Sequence, residues 1–302
     1  MASLIHHNNC LCCGSEAISK EISCKDYTVS AEVFEIWKCN SCSFCFTQNV
    51  PSQSDIGRYY QSNDYISHTD TKEGLVNRLY HIVRKYTLKS KTNLIKKVTG
   101  LQQGSLLDIG AGTGAFCHSM KQSGWHVTGL EPDEEARKIA EQKFGLTLQA
   151  LEKFDDLKKE SYDAITLWHV LEHVHDLHGY FQKFIELLKS TGRLIIAVPN
   201  YTSHDAHKYG ECWAAYDVPR HLYHFSPKSM EVLLNAKGLV LESIHPMWFD
   251  SFYVSMLSEK YKHGEDRFVS AMIEGVISNC KVLLDRKKCS SVIYIIRKNN
   301  TN

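Results

Sequence analysis

The sequence predicts an α/β fold: a doubly wound, mostly parallel sheet with an antiparallel hairpin at its C-terminal edge and a small cysteine module in front. Three observations carry this. Apolar runs alternate with helical stretches after Gly104, the first run ends in a glycine-rich loop, and two C-x-x-C pairs fall within the first 45 residues. At 302 residues, with 43% apolar and 23% charged residues, the chain can bury a full core. A net charge of +1 offers no electrostatic argument for nucleic acid or an anionic membrane. The opening MASLIHHNNC lacks an apolar signal-type run, and no later run approaches membrane-spanning length. A cytoplasmic protein with no nucleic-acid or membrane partner is therefore expected.

Taken in order, residues 1–50 read as the cysteine module, 51–100 as a linker and helical cap, and 101–302 as the main domain. Between Lys72 and Val98, Leu75, Leu79, Ile82, Val83 and Tyr86 recur at helical spacing. The eight Lys or Arg of that segment read as a solvated face, because no nucleic-acid motif accompanies them. "SLLDIG" is the first strand of the main sheet, followed by a helix from about Ala115 to Gly124. "HVTGLEP", a helix over 133–144, "YDAITLW", a helix over about 177–189 and "GRLIIAVPN" continue the alternation. This is βαβ grammar, hence a Rossmann-like parallel sheet covered on both faces. A helix over 226–237 then leads to "GLVLESIHP", a helical excursion and "SSVIYIIRK", the edge hairpin.

"LLDIGAGTGAF" sets Gly110, Gly112 and Gly114 between that first strand and its helix, where glycine permits a tight turn and close approach of a ligand. Glu131 ends the next strand, placed to accept hydrogen bonds from ribose hydroxyls. Gly110-x-Gly112-x-x-Ala115 also satisfies a dinucleotide fingerprint, so a nicotinamide-dependent oxidoreductase is a rival. Asp108 argues against it, standing where a nicotinamide-binding strand usually carries an apolar residue.

D-x-G-x-G-x-G from Asp108 to Gly114 resembles motif I of class I S-adenosylmethionine-dependent methyltransferases, and "VTGLEPD" resembles their next motif. The resemblance implies S-adenosylmethionine as donor. Its methionine end would lie in the loop of Asp108, Gly110, Gly112 and Gly114, and its ribose on Glu131. "YDAITLWHVLEHVHD" resembles the family's fourth strand and the turn after it. Trp168 and His169 would then border the donor site, and Tyr60 and Tyr65 of "RYYQSNDYISH" would close over it.

The H-x-x-E-H of His169, Glu172 and His173 also matches a zinc-protease signature. That chemistry needs a continuous helix, and a strand running into Trp168 argues against one. Some related O-methyltransferases hold a divalent ion with E-x-x-E-H and a later histidine. Here His169 replaces the first glutamate, so no catalytic ion is expected; Glu172 and His173 read as ordering the turn, His175 and His178 as solvated. The loop "ECWAAYDVPRHLYHFSP", 211–227, resembles a substrate-facing loop of a methyltransferase subgroup that often bears a cysteine module. If the acceptor is a hydroxyl or amine, a general base is needed, and His221, His224 and His169 are the candidates in that order. The resemblance points to a small-molecule acceptor of sugar or quinone-like kind. A donor-binding interaction protein without catalysis is the alternative of a different class.

Cys10-x-x-Cys13 and Cys39-x-x-Cys42 are two knuckles spaced to close a zinc-ribbon-like tetrahedral site. Four thiolates leave no position for a catalytic water, so this Zn²⁺ would be structural.

Overall fold

The structure, a computed structural model, describes residues 3–61 and 75–299, apart from the side chains of 75–82. Tyr65 lies outside the described residues. The N-terminal part contributes β1 (Leu4–Ile5), β2 (Ile18–Lys25), β3 (Val33–Cys39), β4 (Cys45–Thr47) and β5 (Val50–Pro51). Helix α1 (Leu75–Thr99) leads to β6 (Ser105–Ile109), α2 (Ala115–Gln122), β7 (His126–Leu130) and α3 (Glu134–Phe144). Next come β8 (Tyr162–Trp168), α4 (Leu177–Leu187), β9 (Leu188–Pro199), α5 (His204–Tyr209), β10 (Tyr223–His224) and α6 (Pro227–Ala236). The chain closes with β11 (Leu239–Pro246), α7 (Asp250–His263), α8 (Phe268–Leu284) and β12 (Ser291–Lys298).

The main sheet has the order β11-β12-β9-β8-β6-β7. β7, β6, β8 and β9 pair in parallel, while β12 runs antiparallel to both β9 and β11. The edge hairpin expected from the sequence is thus present, with α7 and α8 between its strands. Side chains alternate across the sheet with period two. Leu107, Ile109, Ile165 and Leu167 face α4, whose Phe181 and Phe184 are buried with them. Leu106, Ala164 and Ile195 face the other layer, where Ile95 of α1 and Trp125 pack. Burial on both faces is why β9 reads as the unbroken apolar run "LIIAV". Among the described residues, no helix is long and apolar enough to cross a membrane.

The cysteine module does not end at residue 50. Its four-stranded sheet has the order β10-β4-β3-β2, so its last strand comes from the 211–227 loop. Tyr223 pairs with Phe46 and His224 with Cys45. Phe44 packs against Tyr223 and Phe225 in a core continuous with that of the main domain. About fifty residues cannot bury a sufficient core alone, and this segment completes its own by borrowing a strand.

Candidate active site

The glycine loop leaves β6 at the C-terminal edge of the sheet, where open α/β folds bind ligands. Gly110, Gly112 and Gly114 all have positive φ, at 68°, 54° and 76°. A Cβ on Gly110 would collide with Val170, and one on Gly114 would come within 2.9 Å of Ala140 Cβ, so both allow close packing. Gly112 differs, because a Cβ there would meet open space. That is the face a ligand can approach.

Glu131 closes the loop from β7. Its carboxylate accepts from the Gly112 N–H at 2.7 Å and from the Asp133 N–H at 3.0 Å. Burial raises its pKa against those bonds. Asp108, a predicted donor ligand, turns inward instead. Its oxygens accept from Thr166 Oγ1 at 2.7 Å and Cys117 Sγ at 3.3 Å, and burial lifts its pKa to about 6. The motif acid thus braces the loop from the strand side.

Sequence reasoning missed Lys91. From α1 its Nζ lies 4.0 Å from the centre of the Trp168 ring, which also meets Phe116 edge-on at 5.4 Å. Burial presses the ammonium pKa down to about 8, opposed by Asp250 and Asp108. The signal was available as a lysine on the apolar side of a helix, but it was read with the solvated charges around it.

The strand end after Trp168 gathers the polar residues. His169 has φ 58°, a left-handed backbone uncommon outside glycine and concentrated at functional sites. Its Nδ1 is 3.2 Å from Glu172 Oε1 and its Nε2 is 2.9 Å from Asp250 Oδ2. Burial disfavours the charge, but the bonds to Asp250 and Glu172 outweigh it and lift the pKa to about 10. An imidazolium held between two carboxylates has no free base nitrogen. His169 is thereby removed from the candidate bases and becomes the clasp between this turn and α7.

Glu172 and His173 lie in a short 3₁₀ turn, Leu171–His173, not within an α-helix. His173 Nδ1 bonds the Arg220 carbonyl at 3.0 Å and lies 3.1 Å from the Tyr60 hydroxyl. His221 Nδ1 bonds the Ala215 carbonyl at 2.9 Å. Carbonyls only accept, so both rings carry hydrogen on Nδ1, and Nε2 is the nitrogen each leaves to other partners. The rings lie 4.5 Å apart, and one ligand atom from each of Glu172, His173 and His221 falls within 4.8 Å of the others. Burial and the neighbouring His221 hold the His173 pKa down to about 4. Glu172 Oε2 is buried with no partner among the described residues. Tyr60, expected over the donor, is engaged with His173 instead.

The 211–227 loop holds this cluster through its interior. Trp213 is buried and donates to Asp205 Oδ2 at 2.9 Å, and Tyr216 and Tyr223 are buried too, so the aromatics anchor the loop. Fully buried Arg220 bonds Asp217 at 2.6 Å, Asp26 of the module at 2.9 Å and the Tyr59 carbonyl at 2.8 Å. His224 is not placed as a base. Its Nε2 donates to Thr47 Oγ1 at 3.0 Å while Thr47 donates to the His221 carbonyl at 2.7 Å, and burial drives its pKa well down. His175, expected to be solvated, is half-buried and bonds the Pro51 carbonyl at 3.1 Å, whereas His178 is exposed.

Away from the crevice, the Sγ atoms of Cys10, Cys13, Cys39 and Cys42 converge within 4.8 Å of one another. Cys10 and Cys42 are 3.5 Å apart, and Cys13 and Cys39 3.6 Å. This group could hold one metal ion. A cleft of about 1090 Å³ between the module, α6 and β11 contains neither donor-loop nor histidine-cluster residues.

An open sheet in this order, with a glycine loop whose free face meets a carboxylate from the next strand, defines a class I S-adenosylmethionine-dependent methyltransferase fold. A methyltransferase-domain family profile matches residues 80–244, more than half of the sequence, and the chain belongs to that family. The human mitochondrial ubiquinone biosynthesis O-methyltransferase is 26% identical over 185 residues, 54% of this chain and 50% of that protein. The corresponding protein of Aeromonas salmonicida (strain A449) is 27% identical over 191 residues, 59% of this chain and 78% of the relative. The chain spans about half the length of the human relative it matches. Among solved structures, magnesium protoporphyrin IX methyltransferase from Synechocystis PCC 6803 shares the fold at a TM-score of 0.51, with 15% identity over 80% of this chain and 96% of that one.

Proposed function

We propose that the protein transfers the methyl group of S-adenosylmethionine to a hydroxyl of a small-molecule acceptor. The observation that supports this best is the contact between two halves of one crevice. Gly110 of the donor loop touches Val170, and Val170 leads directly into the turn that carries Glu172 and His173. A donor lying on Gly112 and Glu131 therefore has its methyl end directed to the histidine cluster.

In the reaction an acceptor oxygen attacks the sulfonium methyl in line. A C–O bond forms, the S–C bond breaks with its electron pair going to sulfur, and the acceptor proton passes to His221 Nε2. The donor loses its positive charge, so orientation and proximity supply much of the acceleration, with the base adding to it. The ubiquinone-type relatives support an oxygen acceptor of quinone-like kind. Isotope-labelled donor offered with a panel of phenols, catechols and sugars should yield labelled ether. Donor binding without transfer to any acceptor would favour an interaction protein, and NADH binding in place of the donor would favour the oxidoreductase.

One observation favours a second reading of the same cluster. Both Nδ1 atoms are tied to carbonyls and Glu172 Oε2 has no partner among the described residues, which is the way ligands are oriented around a divalent ion. Glu172, His173 and His221 would hold it, while His169 is excluded by its two carboxylates. Such an ion would supply Lewis-acid activation of the acceptor hydroxyl. Titration with Mn²⁺ should give one site, lost in His173→Ala, and EDTA should abolish activity until Mn²⁺ is returned. Full activity after exhaustive chelation would leave the base mechanism in sole possession.

The four thiols fit a structural Zn²⁺. Tetrahedral Zn–S bonds of about 2.3 Å imply S···S separations close to the observed 3.5 and 3.6 Å. Metal analysis should find one zinc per chain, absent from Cys39→Ser with Cys42→Ser.

A further inference from the structure

Helix α8 is built with its apolar side outward. The positions it buries are mostly small or polar, namely Ala271, Glu274, Gly275 and Ser278. Its exposed positions include Val269 at 71% exposure, Leu283 at 77% and Leu284 at 88%. Lys281 alone among the exposed residues of this helix is charged. A helix facing water normally shows the reverse arrangement, and apolar surface of this extent marks an interaction site.

The spacing of that surface narrows what covers it. Val269, Ile273, Val276, Cys280 and Leu283 follow one another in alternating steps of four and three, the seam of a two-stranded helical pair. The seam is centred on Val276. Glu265 and Asp266 lie about ten residues before that centre, and Arg286, Lys287 and Lys288 about ten after it. Arg267 pairs with Glu265 and Asp285 caps its own turn, and neither reverses the sign of its end. A parallel pair would set like charges together. An antiparallel pair sets the acidic end of each helix on the basic end of the other.

We propose that α8 is the self-association surface of this protein, two copies pairing antiparallel about a two-fold axis at Val276. Such an interface is isologous and closes on itself. It also reaches the active site. Gly275 of α8 lets Phe252 of α7 pack against the helix backbone, and Asp250 opens α7 with its bond to His169. Pairing would brace the element that carries Asp250.

Sedimentation velocity of the full chain over a concentration series should show a reversible monomer–dimer equilibrium. Ile273→Glu, at an exposed position that should not disturb folding, should weaken association on the order of a hundredfold, the cost of an unpaired charge in an apolar seam. In a Cys280→Ser background, Val276→Cys lies on the axis and should form an intermolecular disulfide under mild oxidation. Native Cys280 would stand roughly 12 Å from its mate by helix rise and should not. Reversing Glu265 and Asp266 to lysine should weaken the dimer, and adding glutamates at 286, 287 and 288 should restore it. A monomer at every concentration overturns the proposal, as does a dimer that Val276→Cys fails to cross-link. So does a monomer that pellets with phosphatidylcholine–phosphatidylglycerol vesicles and loses this with Ile273→Glu, which would assign the face to a lipid surface.

Discussion

The donor half of the crevice and the histidine half are built in opposite ways. The donor half comes from one stretch, Asp108 to Glu131, whose strand, loop and helix are consecutive. The histidine half draws on Asp26, Tyr60, the turn at 169–173, the loop at 217–221 and Asp250. Backbone geometry makes the first, through three glycines and a carboxylate on a peptide N–H. Side-chain bonds between distant segments make the second. A site of the first kind survives loss of a remote contact, and one of the second kind does not.

The largest expected effect tests that contrast. Arg220 ties Asp217, Asp26 and Tyr59 with no exposure of its own side chain. Arg220→Ala leaves buried carboxylates unpaired and should destabilise the protein by about 3–5 kcal/mol, read by urea unfolding. Turnover should fall, because the backbone carbonyl of residue 220 that orients His173 loses the guanidinium bonds that hold its segment in place. Donor affinity, measured by calorimetry well below the unfolding transition, should stay near wild type. Donor affinity falling as steeply as turnover would break the comparison.

Next in size is His221→Ala, which should lower kcat by roughly 10²–10⁴-fold as loss of a general base, with the donor dissociation constant little changed. Glu131→Ala is the mirror experiment. It should weaken donor binding by about 1.5–3 kcal/mol, the scale of hydrogen bonds to a charged group, and leave the acceptor KM nearly untouched. Crossed effects in either variant would merge the two halves into one.

The same contrast explains what could be read from the sequence. The βαβ alternation, the edge hairpin and the positions of the glycine loop and Glu131 depend on neighbours in the chain, so periodicity and spacing revealed them. The cysteine pairs were legible for the same reason. The module's dependence on β10 was not, because pairing of Tyr223 with Phe46 has no local signature. Local spacing also misplaced His224 and His169. Two histidines in "PRHLYHF" look equivalent and both are buried, but His224 has its Nε2 taken up by the Thr47 hydroxyl. His169 looks like a crevice base until Asp250, 81 residues later, claims its second nitrogen.

Lys91 gives the smallest and most discriminating test, because it lies outside the Asp108–Glu131 stretch yet packs on Trp168 at the end of β8. An ammonium against Trp168 is suited to the carboxylate of the donor's methionine. Its pKa of about 8 sits below the ordinary lysine value, burial being the main cause. The protonated form binds the carboxylate, so donor affinity should be flat below pH 8. Above it, affinity should fall by about fivefold in all, the scale of about 1 kcal/mol for one such ion pair, since a proton must be taken up on binding. Stability runs the other way. A lysine pressed below its unfolded pKa burdens the fold while charged, and that burden is relieved as pH rises from about 8 toward 10.5. Lys91→Met should therefore weaken donor binding by about 1 kcal/mol, flatten its pH profile, and leave the unliganded protein at neutral pH as stable as wild type or more so. Calorimetry across pH 6–10 with parallel thermal melts decides it. A variant that loses stability while keeping the wild-type pH profile would make Lys91 a packing residue of α1 and return the donor carboxylate to the glycine loop alone.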